Sequence, residues 1–208
     1  MYLKIGHLVP ATVIKAMPDH DSYLMAIANS EIMALLAKEN AGKTMQVGDC
    51  TAAVVHAFKG ERVLLTQQTA VFYRRLVEML LSPLLMEGKV KVCHAAAIRG
   101  AGFAKVSIEG LNGCNPIQES MVYIHDAKEY TSSTITMVAY SHDKIEYIKN
   151  SLIPASRDHI QKVIYDKDAA EYTVYVSSSQ KGVFLGRQGM NVATAAKLTG
   201  AKLNILPV

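Results

Sequence analysis

The hydrophobic pattern changes character along this chain. Near the N-terminus, aliphatic and β-branched side chains gather in short runs: "LVPATVIKA", "SYLMAIA", "EIMALLA", "CTAAVVHAFK" and "ERVLLTQ". Turn-like "MPDHD", "NS", "NAGKTMQVGD" and "KG" separate them, so five strands are predicted. The longest connection precedes the fourth strand, which fits a small closed barrel of the OB type; a five-stranded sandwich fits the same periodicity. In "TAVFYRRLVEMLLSPLL" the period becomes helical, with Val71, Phe72, Leu76, Met79 and Leu80 on one face. Pro83 is expected to end that helix and Gly88 to open a new unit.

From Lys89 strands and helices alternate. "KVKVCHAAAI" and "FAKVSIEG" read as a strand pair turned at "RGAG". "NPIQESMVYIHDAKEY" reads as helical, with Asn115 as cap and Pro116 at the first helical position. "TITMVAY" reads as a strand. "SHDKIEYIKNSL" opens on a cap-like serine and runs as an amphipathic helix to Pro154. "HIQKVIY" and "EYTVYV" form a second strand pair around "DKDAA". Ser177–Ser179 then cap a short helix, followed by a glycine interruption, a second helix and the strand "KLNILPV". The stretch 89–140 shows the same order of elements without the glycines, so one α/β unit is used twice.

Composition narrows the class. Half of the 208 residues are apolar, enough for a sizeable core, but no run is long and apolar enough for a membrane span. The N-terminal residues lack the continuous apolar stretch of a signal peptide. Cys50, Cys93 and Cys114 are odd in number and lack C-x-x-C spacing, which fits free thiols in a cytoplasmic protein. The net charge is +4, and all of that surplus lies in residues 172–208, where Lys181, Arg187, Lys197 and Lys202 meet no acid. Such a segment suits an anionic partner, a polyphosphate backbone above all, or is simply a solvated basic surface.

The acid-free segment contains "VFLGRQGMNV". Two glycines three apart between helices let the chain turn sharply and let a ligand approach the backbone. The helix that follows points unpaired N–H groups and its positive dipole end at that approach. A G-x-x-G loop of this kind clamps nucleic-acid backbone in KH domains, whereas an ordinary helix–turn–helix corner carries the same letters. In the RNA reading Gly186, Arg187, Gln188 and Gly189 form the grip. Leu185 and Val192 wall the groove, with Lys181, Asn191 and Lys197 nearby. Tyr23, Phe58 and His56 are stacking candidates on the barrel, each equally suited to a core. "DHD" at Asp19–Asp21 and "SHD" at Ser141–Asp143 sit where turns and caps use those residues. Cys93 and His94 lie on a strand that sends neighbours to opposite faces. No catalytic centre, metal site or cofactor is expected, and the chain reads as a non-enzyme.

"FLGRQGMNVATAAKLTGAKLNI" resembles the second KH domain of the NusA family of bacterial transcription elongation and termination factors, where "MNV", "KLTG" and "KLNI" match its pattern. "LLTQQTAVFYRRLVEMLLSPLLMEGKVKVCHAAAIRGAGFAKVSIEG" is similar to the family's connector and first KH strand pair. "QVGDCTAAVV" looks like the lead-in to its fourth barrel strand, and "NPIQ" stands where the family has Asp-Pro. The departures are informative. Val122–His125 occupies the place of the first G-x-x-G, followed by a shortened helix. Ala193 replaces a usual arginine and Ala201 a usual tryptophan, and the family's N-terminal polymerase-binding domain has no counterpart here.

The resemblance implies a multidomain α+β protein: an OB-type barrel over 1–68, a connector helix over 69–88, a degenerate KH-like unit over 89–142 and a second, type II KH domain over 143–208. It also implies single-stranded RNA as partner, RNA polymerase or other transcription factors as further partners, and a role in elongation, termination or antitermination. A protein–protein scaffold that has kept KH folds while losing RNA is the alternative.

Overall fold

The computed structural model describes residues 2–208. Strands β1 (Leu8–Met17), β2 (Ser22–Ile27), β3 (Met33–Ala37), β4 (Cys50–Lys59) and β5 (Arg62–Thr66) close in the order β1-β2-β3-β5-β4, with β4 returning to β1. Closure decides against the sandwich. Alternation fills the interior: Val9, Ala11 and Val13 point inward from β1, opposite Met25, Ile27, Leu36, Val55 and Leu65. Register shifts after Val13 and after Val55 mark bulges, the usual means of bending strands into a barrel. Residues 51–55 are all buried, because β4 is covered twice. Val55 enters the barrel, and its neighbour Val54 points outward into the next core.

That next core is organised by helix α1 (Ala70–Leu80), capped by Thr69, whose Oγ1 accepts the Phe72 N–H at 3.2 Å. Its buried face is Phe72, Tyr73, Leu76 and Val77; Val71 and Met79, expected inside, are exposed. Pro83 does not end α1. It lies in the first turn of a second helix, α2 (Ser82–Met86), where a missing N–H breaks no helical bond. Gln67 locks this junction: it is fully buried, accepts the Gly42 N–H at 2.8 Å and donates to Thr51 Oγ1 at 2.8 Å and the Ala52 carbonyl at 2.6 Å.

Strands β6 (Val90–Ala97), β7 (Phe103–Gly110) and β8 (Thr134–Ala139) form a sheet in that order, β6 and β7 antiparallel, β7 and β8 parallel. Helix α3 (Pro116–Ile124) is capped by Asn115, whose Oδ1 accepts the Gln118 N–H. It runs straight into a 3-10 turn over His125–Glu129. Val122–His125 is therefore a continuous helical path with no residue of positive φ.

The last part repeats this plan. Helix α4 (Lys144–Ser151) precedes β9 (Ile160–Asp166) and β10 (Glu171–Val176), then α5 (Lys181–Leu185), α6 (Met190–Thr199) and β11 (Lys202–Pro207). The sheet order is β11-β10-β9, again one antiparallel and one parallel pair. Asp143, and not Ser141, caps α4; its Oδ1 accepts the N–H groups of Ile145 and Glu146. Ser178–Gln180 forms a 3-10 turn and offers α5 no side-chain cap, since Ser178 Oγ donates to the Val208 carbonyl.

The two units share a face. Ala104, Val106 and Ile108 of β7 point toward α1, while Ala96, Val138, Tyr147 and Leu198 form a separate cluster beneath α4 and α6. The sheet of the first unit is thus sandwiched between its own helices and those of the second. Among the described residues no helix is long and apolar enough to cross a membrane, and the three cysteines are unbridged.

Candidate nucleic-acid interface

The glycine segment forms a sharply turned loop between α5 and α6. Gly186 has φ 71 and ψ 174, a region open essentially to glycine alone. Gln188 and Gly189 are left-handed at φ 52 and φ 72. An ideal Cβ on Gly186 would stand 2.6 Å from the Asn191 Cβ, so the close approach that demands glycine here is internal. Gly189 caps α6 without a side-chain hydrogen bond, and the first turn of α6 holds no acid. The Met190 N–H at the start of this ten-residue helix donates to the Arg187 carbonyl, so what the helix turns toward the loop is chiefly its positive dipole end.

Arg187 and Gln188 are exposed at the tip, and Leu185 and Val192 are half-buried against the core behind it. Lys181 starts α5 and is half-buried; Lys197 is exposed in the last turn of α6. At the rise of an α-helix, Lys197 lies about 10 Å along the axis from the loop, so it adds field and not contact. A cleft of 540 Å3 opens between the loop and the first unit, with Phe103, Thr134 and Thr136 facing Arg187, Gln188 and Met190. The residues across the cleft escape a reading of the sequence, because nothing local marks β8 as the opposite wall.

Asn191 is not available to a ligand. It is 6 % exposed, its Nδ2 donates to the Leu152 and Phe184 carbonyls at 3.0 Å each, and its Oδ1 accepts from Lys105 Nζ at 2.6 Å. Lys105 is 1 % exposed and also donates to the Ser151 carbonyl at 2.5 Å. Burial pushes its ammonium down to about 7. Two residues along β7, Ser107 Oγ lies 2.8 Å from the Tyr147 hydroxyl, which is also 3.2 Å from the Leu198 carbonyl. Burial raises Tyr147 to about 12.

The barrel candidates divide. Tyr23 is 3 % exposed, belongs to the barrel core and accepts the Met45 N–H on its hydroxyl, so it cannot stack on a base. Phe58 and His56 are exposed, and His56 lines a groove of 620 Å3 with Leu24, Leu35, Arg62 and Leu64. Elsewhere, Asp19 sits in a 3-10 turn and Asp143 in a cap, the ordinary uses of these residues. Burial and the Glu109 carboxylate beside it push the Cys93 thiol up, away from the nucleophilic thiolate.

Comparison with known proteins agrees with this architecture in its last unit. Residues 144–207, from α4 to β11, match the model of the NusA-like second KH domain. The transcription termination/antitermination protein NusA of Rickettsia prowazekii is 34% identical over 100 residues, 48% of this chain and 20% of that protein. The NusA of Halalkalibacterium halodurans is 27% identical over 154 residues, 71% of this chain and 39% of that protein. This chain therefore spans well under half the length of these relatives. A solved protein, APE1850, superposes with a TM-score of 0.47 at 18% identity, over 64% of this chain and 96% of that one. Residues 144–207 are thus similar to a NusA-like second KH domain, and in this chain they follow a closed five-stranded barrel and another α/β unit.

Proposed function

We propose that this protein binds single-stranded RNA through the Gly186–Gly189 loop and serves transcription elongation, termination or antitermination in the bacterial cytoplasm. The observation that carries the reading is the start of α6, with no side-chain cap, behind a left-handed glycine turn and inside a stretch with four basic residues and no acid. N–H groups and dipole there favour a phosphate, Arg187 adds a charge-assisted hydrogen bond, and Gln188 can donate another. Such contacts position a strand without selecting its sequence. The transcriptional role, and RNA polymerase or its factors as partners, rest on the names of the relatives. The chain is divided, in this reading, into a barrel (1–68), a connector (69–88), a degenerate KH-like unit (89–142) and the RNA-binding KH domain (143–208).

A scaffold for other proteins is the second reading, favoured by the unbroken helical path at Val122–His125 and by Met121 and Val122, which stand exposed beside it. A titration with unstructured RNA at low salt separates the two. Arg187→Asp combined with Gln188→Asp is expected to abolish binding that the unaltered chain shows. Equal binding by the double variant refutes the loop as the site, and no binding by either favours the scaffold.

A further inference from the structure

The glycine loop is held from behind by a residue of the other unit. Asn191 lies just after the loop and Phe184 just before it, and the Asn191 Nδ2 ties the two stems together through the Phe184 carbonyl. The same amide donates to the Leu152 carbonyl. An amide has one acceptor end and one donor end, so its orientation is set by what faces each. The two carbonyls can face only the NH2 end. The acceptor end is met by Lys105 Nζ, which crosses from β7 of the first unit.

Nothing in the strand pattern requires a lysine at position 105. The site is almost fully enclosed, and an apolar side chain would avoid the cost of desolvating an amine. What lysine supplies is directional. A primary amine donates to both Asn191 Oδ1 and the Ser151 carbonyl, the latter at the negative end of α4, and it has hydrogens enough for both whether charged or neutral. Among the described residues every buried side-chain nitrogen and oxygen has a partner, so the network is closed. Remove the amine and Oδ1 is left buried without a donor, a condition that turns the amide or pulls Asn191 away. Asn191 is also the atom group against which Gly186 packs, so its displacement moves the loop backbone.

We propose that Lys105, in the unit that lacks a glycine loop, is a positioning residue for the glycine loop of the other unit, setting the Gly186–Gly189 backbone through the Asn191 amide. The consequence for RNA rests on the reading given above; the consequence for loop geometry does not. The first unit thereby contributes to RNA binding without a grip of its own.

The test compares Lys105→Met with Tyr147→Phe in the full chain. Methionine keeps the length of the side chain and removes the amine. Tyr147→Phe deletes a different buried hydrogen bond across the same interface, with no link to Asn191. Amide resonances of Gly186, Gln188 and Gly189 are recorded without ligand, and affinity for a short polyuridine is measured well below the melting midpoint. Lys105→Met is expected to shift the loop amides and weaken binding about fivefold or more, while Tyr147→Phe lowers the midpoint and does neither. Loop amides unmoved by Lys105→Met overturn the proposal, as does an equal loss of affinity in both variants. If Lys105→Met does not fold, Asn191→Ser with the same readouts takes its place, and unmoved loop amides again overturn it. Should the unaltered chain bind no polyuridine, the RNA reading falls while the amide shifts still decide the positioning role.

Discussion

The two glycines of the loop should differ sharply in what an alanine costs. At Gly189, with φ 72 and ψ 9, an added Cβ meets nothing within 4 Å. Only the left-handed backbone is penalised, by about 1–2 kcal/mol. At Gly186 the φ 71, ψ 174 conformation alone costs about 1–3 kcal/mol. The Cβ also falls 2.6 Å from the Asn191 Cβ and 3.0 Å from its backbone nitrogen. Asn191 cannot withdraw freely, because hydrogen bonds to Lys105, Leu152 and Phe184 hold it. Overpacking of this kind adds about 1–3 kcal/mol. Gly186→Ala is therefore expected to lose about 4 kcal/mol and Gly189→Ala about 1–2 kcal/mol. Urea unfolding followed by tyrosine fluorescence suits a chain with ten tyrosines and no tryptophan. Equal losses in the two variants would show that Asn191 yields easily, and the argument from its fixed position would fail.

Other expectations follow from the same geometry. Gln67→Met, nearly isosteric, leaves the Gly42 N–H and the Ala52 carbonyl buried without partners and should cost about 2–4 kcal/mol by the same assay; a loss below about 1 kcal/mol means water reaches the junction. Lys105 is held near 7 in the fold against an ordinary value of 10.5, so the folded chain binds fewer protons than the unfolded one between those values. The stability of the unaltered chain relative to Lys105→Met should accordingly rise from about pH 7 to 10.5, and a flat difference contradicts the burial of the amine. RNA affinity should fall with salt with a logarithmic slope of about −2, for Lys181, Arg187 and one further contact, and Arg187→Gln should flatten it by about 0.7.

Much of the fold is legible in the sequence because strand period, turn residues and caps are local signals. "CTAAVVHAFK" declares a strand, and "NPIQ" declares a helix start. What is not local stays hidden. In "FAKVSI" apolar and polar residues alternate, the mark of a strand with one wet face. Here Lys105 and Ser107 are buried too, because the helices of a unit some forty residues downstream cover that face. The same holds for the site. The G-x-x-G letters and the charge surplus mark the loop, yet they cannot tell an asparagine that faces a ligand from one that braces the turn. Proximity in sequence makes Asn191 a contact candidate, and three buried partners make it a brace. Tyr23 misleads in the opposite way, since a tyrosine fills a barrel as readily as it stacks on a base. Pro83 misleads for a simpler reason: proline opens helices as well as closing them.

The covering of β7 also has an order in time. Lys105 and Asn191 are 86 residues apart, so on a ribosome adding about 5–20 residues per second the lysine waits roughly 4–17 s for its partner. Until α4 follows, some forty residues after Lys105, that face of the first unit's sheet stands wet. A face carrying an amine and a hydroxyl tolerates that wait, where a continuous aliphatic one would invite aggregation. On this account a nascent chain stalled before α4 should remain soluble, and the same chain carrying Leu in place of Lys105 and Ser107 should not.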